Sequence, residues 1–373
     1  MSSDSKIYSK LLEESDKQIW NDFVNESPWS TILQFWQWGD TKETEGWTPY
    51  RIAVFNDQKI IVGAQILVKP APVLGNYLYV PHGPVFQTIE DFSRGWDKLH
   101  FHLLNFAKAH NCFVIELEPM LGVHADENEL SAGLVHYTNT DILDHILNKG
   151  YMKTSRNMQP KYKLLYDLTK SEDELLGLMK KNTRYNVKYA MKKGVQIEEC
   201  SPKDKNIQAK LRRFYDLVLD MQKRSNGYPV RPFKTFTRLF EAFADTDNIA
   251  LFEAKYEDDL ITTNISERTK TWSSSFYAGS NRLHSNVKAP YLLRWESIRS
   301  AKKYGSKVYD FWGFIPESDQ HKGYSDTKLS FGGVRIDTYG LLSLPIDSNK
   351  FFIWDKIIPL RGKIIELLRK VKR

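Results

Sequence analysis

The chain has little cysteine: of 373 residues only Cys112 and Cys200 are cysteines. Two cannot build a disulfide framework or a four-cysteine zinc site, and a reducing compartment fits best. Long apolar runs are also missing. No stretch approaches the roughly 18 residues of a membrane span, and the run Ile60-Ile61-Val62 stops at Gly63. Met1 to Trp20 is polar and charged with no apolar centre, so no signal peptide is expected and the cytosol is the expected compartment. No two glycines have a single residue between them, which removes the G-x-G-x-x-G dinucleotide loop. The P-loop, the G-x-S-x-G elbow and H-E-x-x-H are absent too. Among nine histidines only His100 and His102 lie close together, and two apart on a helix they point in different directions. Chemistry that uses no metal, no cofactor and no protein nucleophile is therefore the expectation.

Core material, by contrast, is plentiful. Hydrophobic residues make up 41% of the chain and aromatics 13%, which argues against global disorder. The length implies two or three compact units. Lys and Arg number 53 against 46 Asp and Glu, a net charge of +7. That excess permits a nucleic-acid or phosphate-bearing partner without requiring one.

The order of elements reads as a duplication. Ile52-Ala53-Val54-Phe55, the turn Asn56-Asp57 and the run Ile60 to Val68 form a hairpin pattern. Ile249-Ala250-Leu251-Phe252, the turn Asp258-Asp259 and Leu260 to Ile265 repeat it. Each is followed by a strand and then a helix. The first helix runs near Asp91 to His110 with Trp96, Leu99, Leu103, Leu104 and Ala107 at helical spacing. The second runs near Ala289 to Tyr304, with Pro290 in its first turn, Leu292, Trp295, Ile298 and Ala301 as its stripe, and Gly305 as its cap. Ala107-Lys108 precedes the strand Cys112 to Leu117, and Ala301-Lys302 precedes the strand Lys307 to Trp312. Two similar α/β domains follow from this shared order.

Between the halves lies a basic helix. Ser171 and Glu174 fit a capping box for the turn before it. Lys181, Arg184, Lys188 and Lys192 then stand three and four apart and form one stripe, ended by Gly194. Such a stripe is either a solvated face or a track for a phosphate backbone. The end of the chain, Lys350 to Arg373, is basic and amphipathic. Most such helices pack on their own domain, and a minority touch anionic membrane or nucleic acid.

Seven segments together resemble the FemABX peptidyltransferases. Lys181 to Gly194 is similar to their "K-x-x-R-x-N-x-x-x-A-x-x-x-G" helix. Ser275-Phe276-Tyr277-Ala278-Gly279-Ser280 resembles "Y-x-Y-x-G-S/T", and Tyr291 to Ile298 with Ala301 resembles "Y-L-L-Q-W-E-A-I-x-x-A". Tyr309-Asp310-Phe311-Trp312-Gly313 resembles "Y-D-F-G-G", and Lys328 to Gly333 resembles "F-K-x-x-F-G-G". In the first half, Leu33-Gln34 with Trp38 and Lys42 resembles "L-Q-S-x-x-W-x-x-x-K", and Tyr79 to Pro84 resembles "Y-I-P-R-G-P". The chain departs from these patterns at four places. Thr327 stands for Phe, Ser275 for an aromatic, His82 for Arg and Trp312 for Gly. The segment between Leu211 and Asp245 is too short for the long helical hairpin of the staphylococcal members and resembles the compact ones.

The resemblance implies two tandem domains of the GNAT acyltransferase fold, an α/β architecture. Residues 1–155 joined by 346–373 would form the first, and residues 156–345 the second. It implies transfer of an amino acid from aminoacyl-tRNA to the stem-peptide amine of UDP-MurNAc-pentapeptide or lipid II. Ester aminolysis needs mainly in-line positioning and stabilisation of charge on the carbonyl and leaving oxygens. Lys328, matched to the family's lysine, is the first candidate for that charge, and Tyr277, the second catalytic candidate, is expected to line the cleft. Lys42 matches a lysine associated with phosphate, with Arg231 or Arg224 as the second clamp. Trp38, Tyr79 and Glu118 complete the expected acceptor site, Glu118 standing at an Asp-Pro step of the family. Lys181, Arg184, Lys188 and Lys192 would track the tRNA, with Arg184 alternatively structural. The basic end of the chain would touch the inner face of the membrane. Two other readings stay open: an N-acetyltransferase using acetyl-CoA, for which neither helix start offers the glycine-rich pyrophosphate loop, and a non-catalytic tRNA or precursor binder.

Overall fold

A computed structural model describes residues 6–125, 130–131, 133–225, 229–317 and 322–359. They form two mixed sheets of eight strands each, flanked by helices. In the first sheet the spatial order is Ile7–Leu11, Thr48–Asn56, Lys59–Ala71, Gly75–Pro81, Cys112–Glu118, Leu342–Pro345 and Met152–Lys153, with Val85–Phe86 paired beside Lys59–Ala71. In the second it is Gln196–Cys200, Ile249–Tyr256, Asp259–Arg268, Trp272–Ser280, Val308–Asp310, Tyr162–Asp167, Val334–Thr338 and Gly122–His124.

The expected repeat is present. Each sheet opens with an antiparallel meander and then makes one parallel step, Gly75–Pro81 to Cys112–Glu118 and Trp272–Ser280 to Val308–Asp310. A parallel step needs a crossover, and the helices Ile89–Ala109 and Ala289–Tyr304 supply it. The first buries Phe92, Trp96, Leu99, Leu103 and Phe106 against its sheet, and the second buries Leu292, Trp295, Ile298 and Ala301. A fully buried side chain of the larger types contributes about 1.5–3 kcal/mol, so these stripes fix both helices. Gly305 takes φ +107 at the end of the second, which a side chain would oppose.

Sheet membership differs from the expected division in two places. Leu342–Pro345 lies in the first sheet, beside Cys112–Glu118, although it precedes residue 346. Gly122–His124 crosses the other way and pairs with Val334–Thr338 in the second sheet. Strands of four and three residues carry no pattern that names their partner, so only long-range pairing assigns them. The exchange, and an apolar cluster in which Leu33, Phe35 and Trp38 meet Phe214, Phe236 and Phe276, hold the halves together. The described start of the basic C-terminal segment docks on the first half, where Trp354 packs on Tyr77 at 4.9 Å and on Phe113 at 5.7 Å. Residues beyond 359, with Arg361, Lys363, Arg369, Lys370, Lys372 and Arg373, lie outside the described residues, and so does most of the expected membrane contact. No helix among the described residues is long and apolar enough to cross a membrane.

Candidate active site

A cavity of about 410 Å³ opens between the halves. Trp38, Lys42, Tyr79 and Pro81 line it from the first half, Gln159 and Pro160 from the connection, and Arg231, Phe276, Tyr277 and Trp312 from the second. Five residues singled out in the sequence (Trp38, Lys42, Tyr79, Arg231 and Tyr277) thus line one cavity.

The cationic end is built on the helix Trp36–Lys42. Its spacing of four puts Trp38 and Lys42 on one face, and Lys42 Nζ lies 5.1 Å from the Trp38 ring centroid. Lys42 and Arg231 both donate to Oε2 of Glu45, each at 2.5 Å. Burial pulls the Lys42 ammonium down to about 8, with Arg231 adding to the effect and Glu45 opposing it. Burial acts to raise Glu45, but Lys42 and Arg231 outweigh it and leave the carboxyl below its ordinary range. The charge of Arg231 favours the ionised form of the nearby Tyr277 hydroxyl, against the effect of burial. Burial raises that hydroxyl to about 12, so it stays protonated at neutral pH.

Another part of the wall is Tyr79. Its hydroxyl donates to Glu118 Oε2 at 2.5 Å and accepts from Gln159 Nε2 at 3.0 Å. Glu118 Oε1 accepts the backbone N–H groups of Met158 and Gln159, both at 3.0 Å. Glu118 is therefore buried behind Tyr79 and orients it. Burial raises the Glu118 carboxyl to about 7 despite these hydrogen bonds.

Three aromatic rings run along the wall from Lys42 toward Lys328. Trp38 meets Phe276 at 5.4 Å, and Phe276 meets Trp312 edge-on at 4.7 Å. Lys328 stands behind Trp312. It lies in the helix Lys322–Leu329, is 3% exposed, and does not line the cavity. Its ammonium donates to the carbonyls of Trp312 at 2.5 Å and Gly313 at 2.7 Å, and to the Tyr324 hydroxyl. Burial lowers its pKa well below the ordinary value, Arg294 and Lys163 push the same way, and Asp310 partly offsets them. The lysine that the resemblance singles out thus sits buried one residue behind the wall.

Other expected residues fall elsewhere. Arg224 ends the helix Ile207–Arg224 and donates to the Ser280 carbonyl, away from the cavity, so Arg231 is the arginine at the site. The basic helix spans Lys181–Lys192 and does not line the cavity. Its Lys181, Lys188 and Lys192 are exposed and make no ion pair among the described residues. Arg184 leaves the stripe and donates to the carbonyls of Leu176, Gly177 and Met179 at 3.2–3.4 Å, closing the preceding helix Glu172–Leu178. Tyr185, 60% exposed, stacks on Tyr189 beside these lysines. Thr183 Oγ1 donates to Ser330 Oγ at 2.7 Å, tying the start of this helix to the turn after Lys328.

Glu45 and Gln159 were not anticipated as parts of the site, whereas Trp312 was expected near the acceptor cleft as a departure from the family pattern. Glu45 follows Lys42 by three residues and reads locally as a helical surface acid. Gln159 reaches the cavity only because Glu118 holds its backbone. For Trp312 the departure from a glycine pattern was the available signal. Away from the cavity, Glu198, Cys200 and Glu253 bring three donor atoms together, and Lys210, Arg213 and Lys255 already neutralise the carboxylates.

Comparison with known proteins places this geometry. A lipid II:glycine glycyltransferase of Staphylococcus aureus (strain MRSA252) is 25% identical over 308 residues, 80% of this chain and 65% of the relative. The enzyme of that name from strain USA300 is 24% identical over 307 residues, with the same coverage. The chain therefore spans about 65% of the length of these curated relatives. Among solved structures, that of FemX superposes with a TM-score of 0.80 at 17% identity, covering 93% of this chain and 100% of that one. A tandem GNAT protein from the clavulanic acid biosynthesis pathway gives 0.51 at 8% identity over 91% of this chain and 98% of that one. These likenesses establish the tandem GNAT-like fold. The FemAB family model matches residues 16–274 and 252–355, nearly the whole length, and the chain belongs to the FemAB family.

Proposed function

We propose that the protein is an aminoacyltransferase that moves an amino acid from aminoacyl-tRNA to the stem-peptide amine of a peptidoglycan precursor, UDP-MurNAc-pentapeptide or lipid II. The observation that carries the reading is the convergence of Lys42 and Arg231 on one carboxylate oxygen in the cavity wall. Two cations held this close are a ready receptor for phosphate, which takes over from Glu45 as their partner. The aromatic wall beside them suits the apolar faces of a sugar-peptide. The names of the relatives, lipid II:glycine glycyltransferases, support the same substrate class.

In this mechanism the acceptor amine attacks the ester carbonyl carbon. A C–N bond forms, the bond to the ribose oxygen breaks, and the amine's proton leaves. Tyr79 faces the cavity and is bonded to a carboxyl near 7, so at neutral pH the pair can take that proton from the amine through the hydroxyl to Glu118 and return it by the same route to the departing ribose oxygen, which leaves as a hydroxyl. Lys328 lies one residue behind the wall, and its protonated form favours negative charge on the ester oxygens. The lysines of Lys181–Lys192 without ion pairs and the exposed Tyr185 among them support an RNA donor. The test is incubation with charged tRNAs and each acceptor, read by mass. A product heavier by one aminoacyl residue is expected; no product from any combination overturns the reading.

A further inference from the structure

Lys328 is joined to the cavity wall by one turn, and a buried acid shapes that turn. Trp312 and Gly313 follow the strand Val308–Asp310 and take φ +54 and +55 in succession, in the left-handed region. A tryptophan holds that conformation only where its surroundings impose it. Here Asp310 Oδ1 accepts the Trp312 N–H at 2.8 Å, a side chain bonding its own backbone two residues on. The two carbonyls that follow, of Trp312 and Gly313, both accept from Lys328 Nζ, at 2.5 and 2.7 Å. Pro160 packs so closely on Gly313 that a Cβ there would lie 2.3 Å from its own Cβ.

Asp310 is itself fixed by its strand. It stands opposite Leu165 in the pairing with Tyr162–Asp167, and Lys163, two residues along, shares the face of Leu165. Lys163 Nζ donates to the second oxygen, Asp310 Oδ2, at 2.8 Å, and the two side chains are 3% and 0% exposed. One oxygen thus shapes the turn and the other holds a cation. A buried ion pair adds little stability over well-packed apolar residues, so its place behind the wall points to a task. The groups around Lys328 suggest which. Tyr324, from its own helix, bonds to it. Burial, Arg294 from the helix Ala289–Tyr304 and Lys163 all act to strip its proton, and Asp310 acts to keep it. Glu267 stands by the Asp310–Lys163 pair, and His82 stands by Lys163.

We infer that Asp310 is a positioning residue for Lys328: through the turn it caps, it holds the Lys328 nitrogen against the back of the cavity wall, and its carboxylate balances the ammonium there. Lys163 is the second anchor of that carboxylate. The inference rests on the aminoacyl-transfer reading, in which the protonated lysine favours negative charge on the ester oxygens.

The experiment measures kcat from pH 6 to 10 with a charged tRNA and acceptor pair that gives product. It also follows the Lys328 13Cε shift by NMR over the same range, in full-length protein labelled in lysine and assigned with Lys328→Met. Asp310→Asn keeps the acceptor for the Trp312 N–H and removes the charge. Its Lys328 midpoint and the alkaline limb of kcat are both expected to move down by about one pH unit or more, as for loss of a close opposite charge. Arg294 makes no ion pair among the described residues and lies 5.6 Å from the Phe311 ring centroid. Arg294→Met therefore leaves no carboxylate unpaired, and it should move both readings up. Asp310→Glu keeps the charge but lengthens the cap; its limb should stay within half a unit of wild type while the plateau kcat falls at least tenfold. Should Asp310→Asn not fold, the Arg294 and Glu variants decide between them. A limb that stays put in Asp310→Asn or Arg294→Met, or a midpoint that moves without the limb, overturns the inference and leaves the transfer reading standing. A wild type that gives no product with any pair removes that reading, and the inference with it.

Discussion

Lys42 and Arg231 come from opposite halves of the chain and donate to the same oxygen of Glu45, each at 2.5 Å. A carboxylate that holds two cations keeps them oriented while the cavity is empty. It also makes each of them a separate test of what the cavity binds.

Replacing Lys42 by Met or Arg231 by Ala should weaken a phosphate-bearing acceptor about 10–100-fold, since a charge-assisted hydrogen bond contributes about 1.5–3 kcal/mol. A desphospho analogue should keep its affinity within twofold. Because burial brings Lys42 down to about 8, it is charged below that pH and neutral above it. Affinity for the phosphate-bearing acceptor should therefore fall as pH rises through about 8, and Lys42→Met should lack that step. Titration calorimetry at pH 7 and 9 measures both. Equal losses for both acceptors would refute the phosphate assignment.

Lys328 holds the wall from behind. Lys328→Met removes the amine and weakens the bonding of the Trp312 and Gly313 carbonyls, and a buried group left short of a partner costs about 1–3 kcal/mol. The melting temperature should fall, and turnover should fall at least a hundredfold with a smaller change in acceptor KM. An unchanged kcat with a raised KM would move Lys328 to a binding role.

The helix Lys181–Lys192 separates charge from structure. Removing Lys181, Lys188 and Lys192 should weaken tRNA binding, and each lost phosphate contact should flatten the log–log salt slope by about 0.7–0.9. Arg184→Ala should leave that slope intact and lower the melting temperature, because its guanidinium closes the helix Glu172–Leu178. Normal tRNA affinity and slope in the triple lysine variant would remove the RNA track.

Glu118 links folding to pH. Its folded value of about 7 lies above the ordinary 4.5 because burial disfavours the charged form. Between those values the folded protein keeps a proton that the unfolded chain has released. Its contribution is therefore full below 4.5 and declines as pH rises through 7, by up to about 3 kcal/mol. Glu118→Gln cannot titrate. Urea unfolding at pH 5 and 8 should show wild type losing stability relative to the variant at the higher pH, and a pH-independent difference would contradict the buried acid.

Local patterns in the sequence already determined the repeated hairpins, both crossover helices, the second with Pro290 and Gly305 at its ends, the capping box at Ser171, and the motifs that mark the family. Each is written in residues within a few turns of one another, where periodicity and capping act directly. Tertiary structure alone decided which arginine meets Lys42. Arg224 and Arg231 are near neighbours in sequence, and only the packing of the halves brings Arg231 to Glu45 while Arg224 turns to Ser280. It likewise turned Arg184 inward, exchanged Gly122–His124 and Leu342–Pro345 between the sheets, and set Trp312 as a screen between Lys328 and the cavity. The reason is common to all of these. The energy that selects them comes from contacts between distant segments, and spacing along the chain does not encode which surfaces will meet.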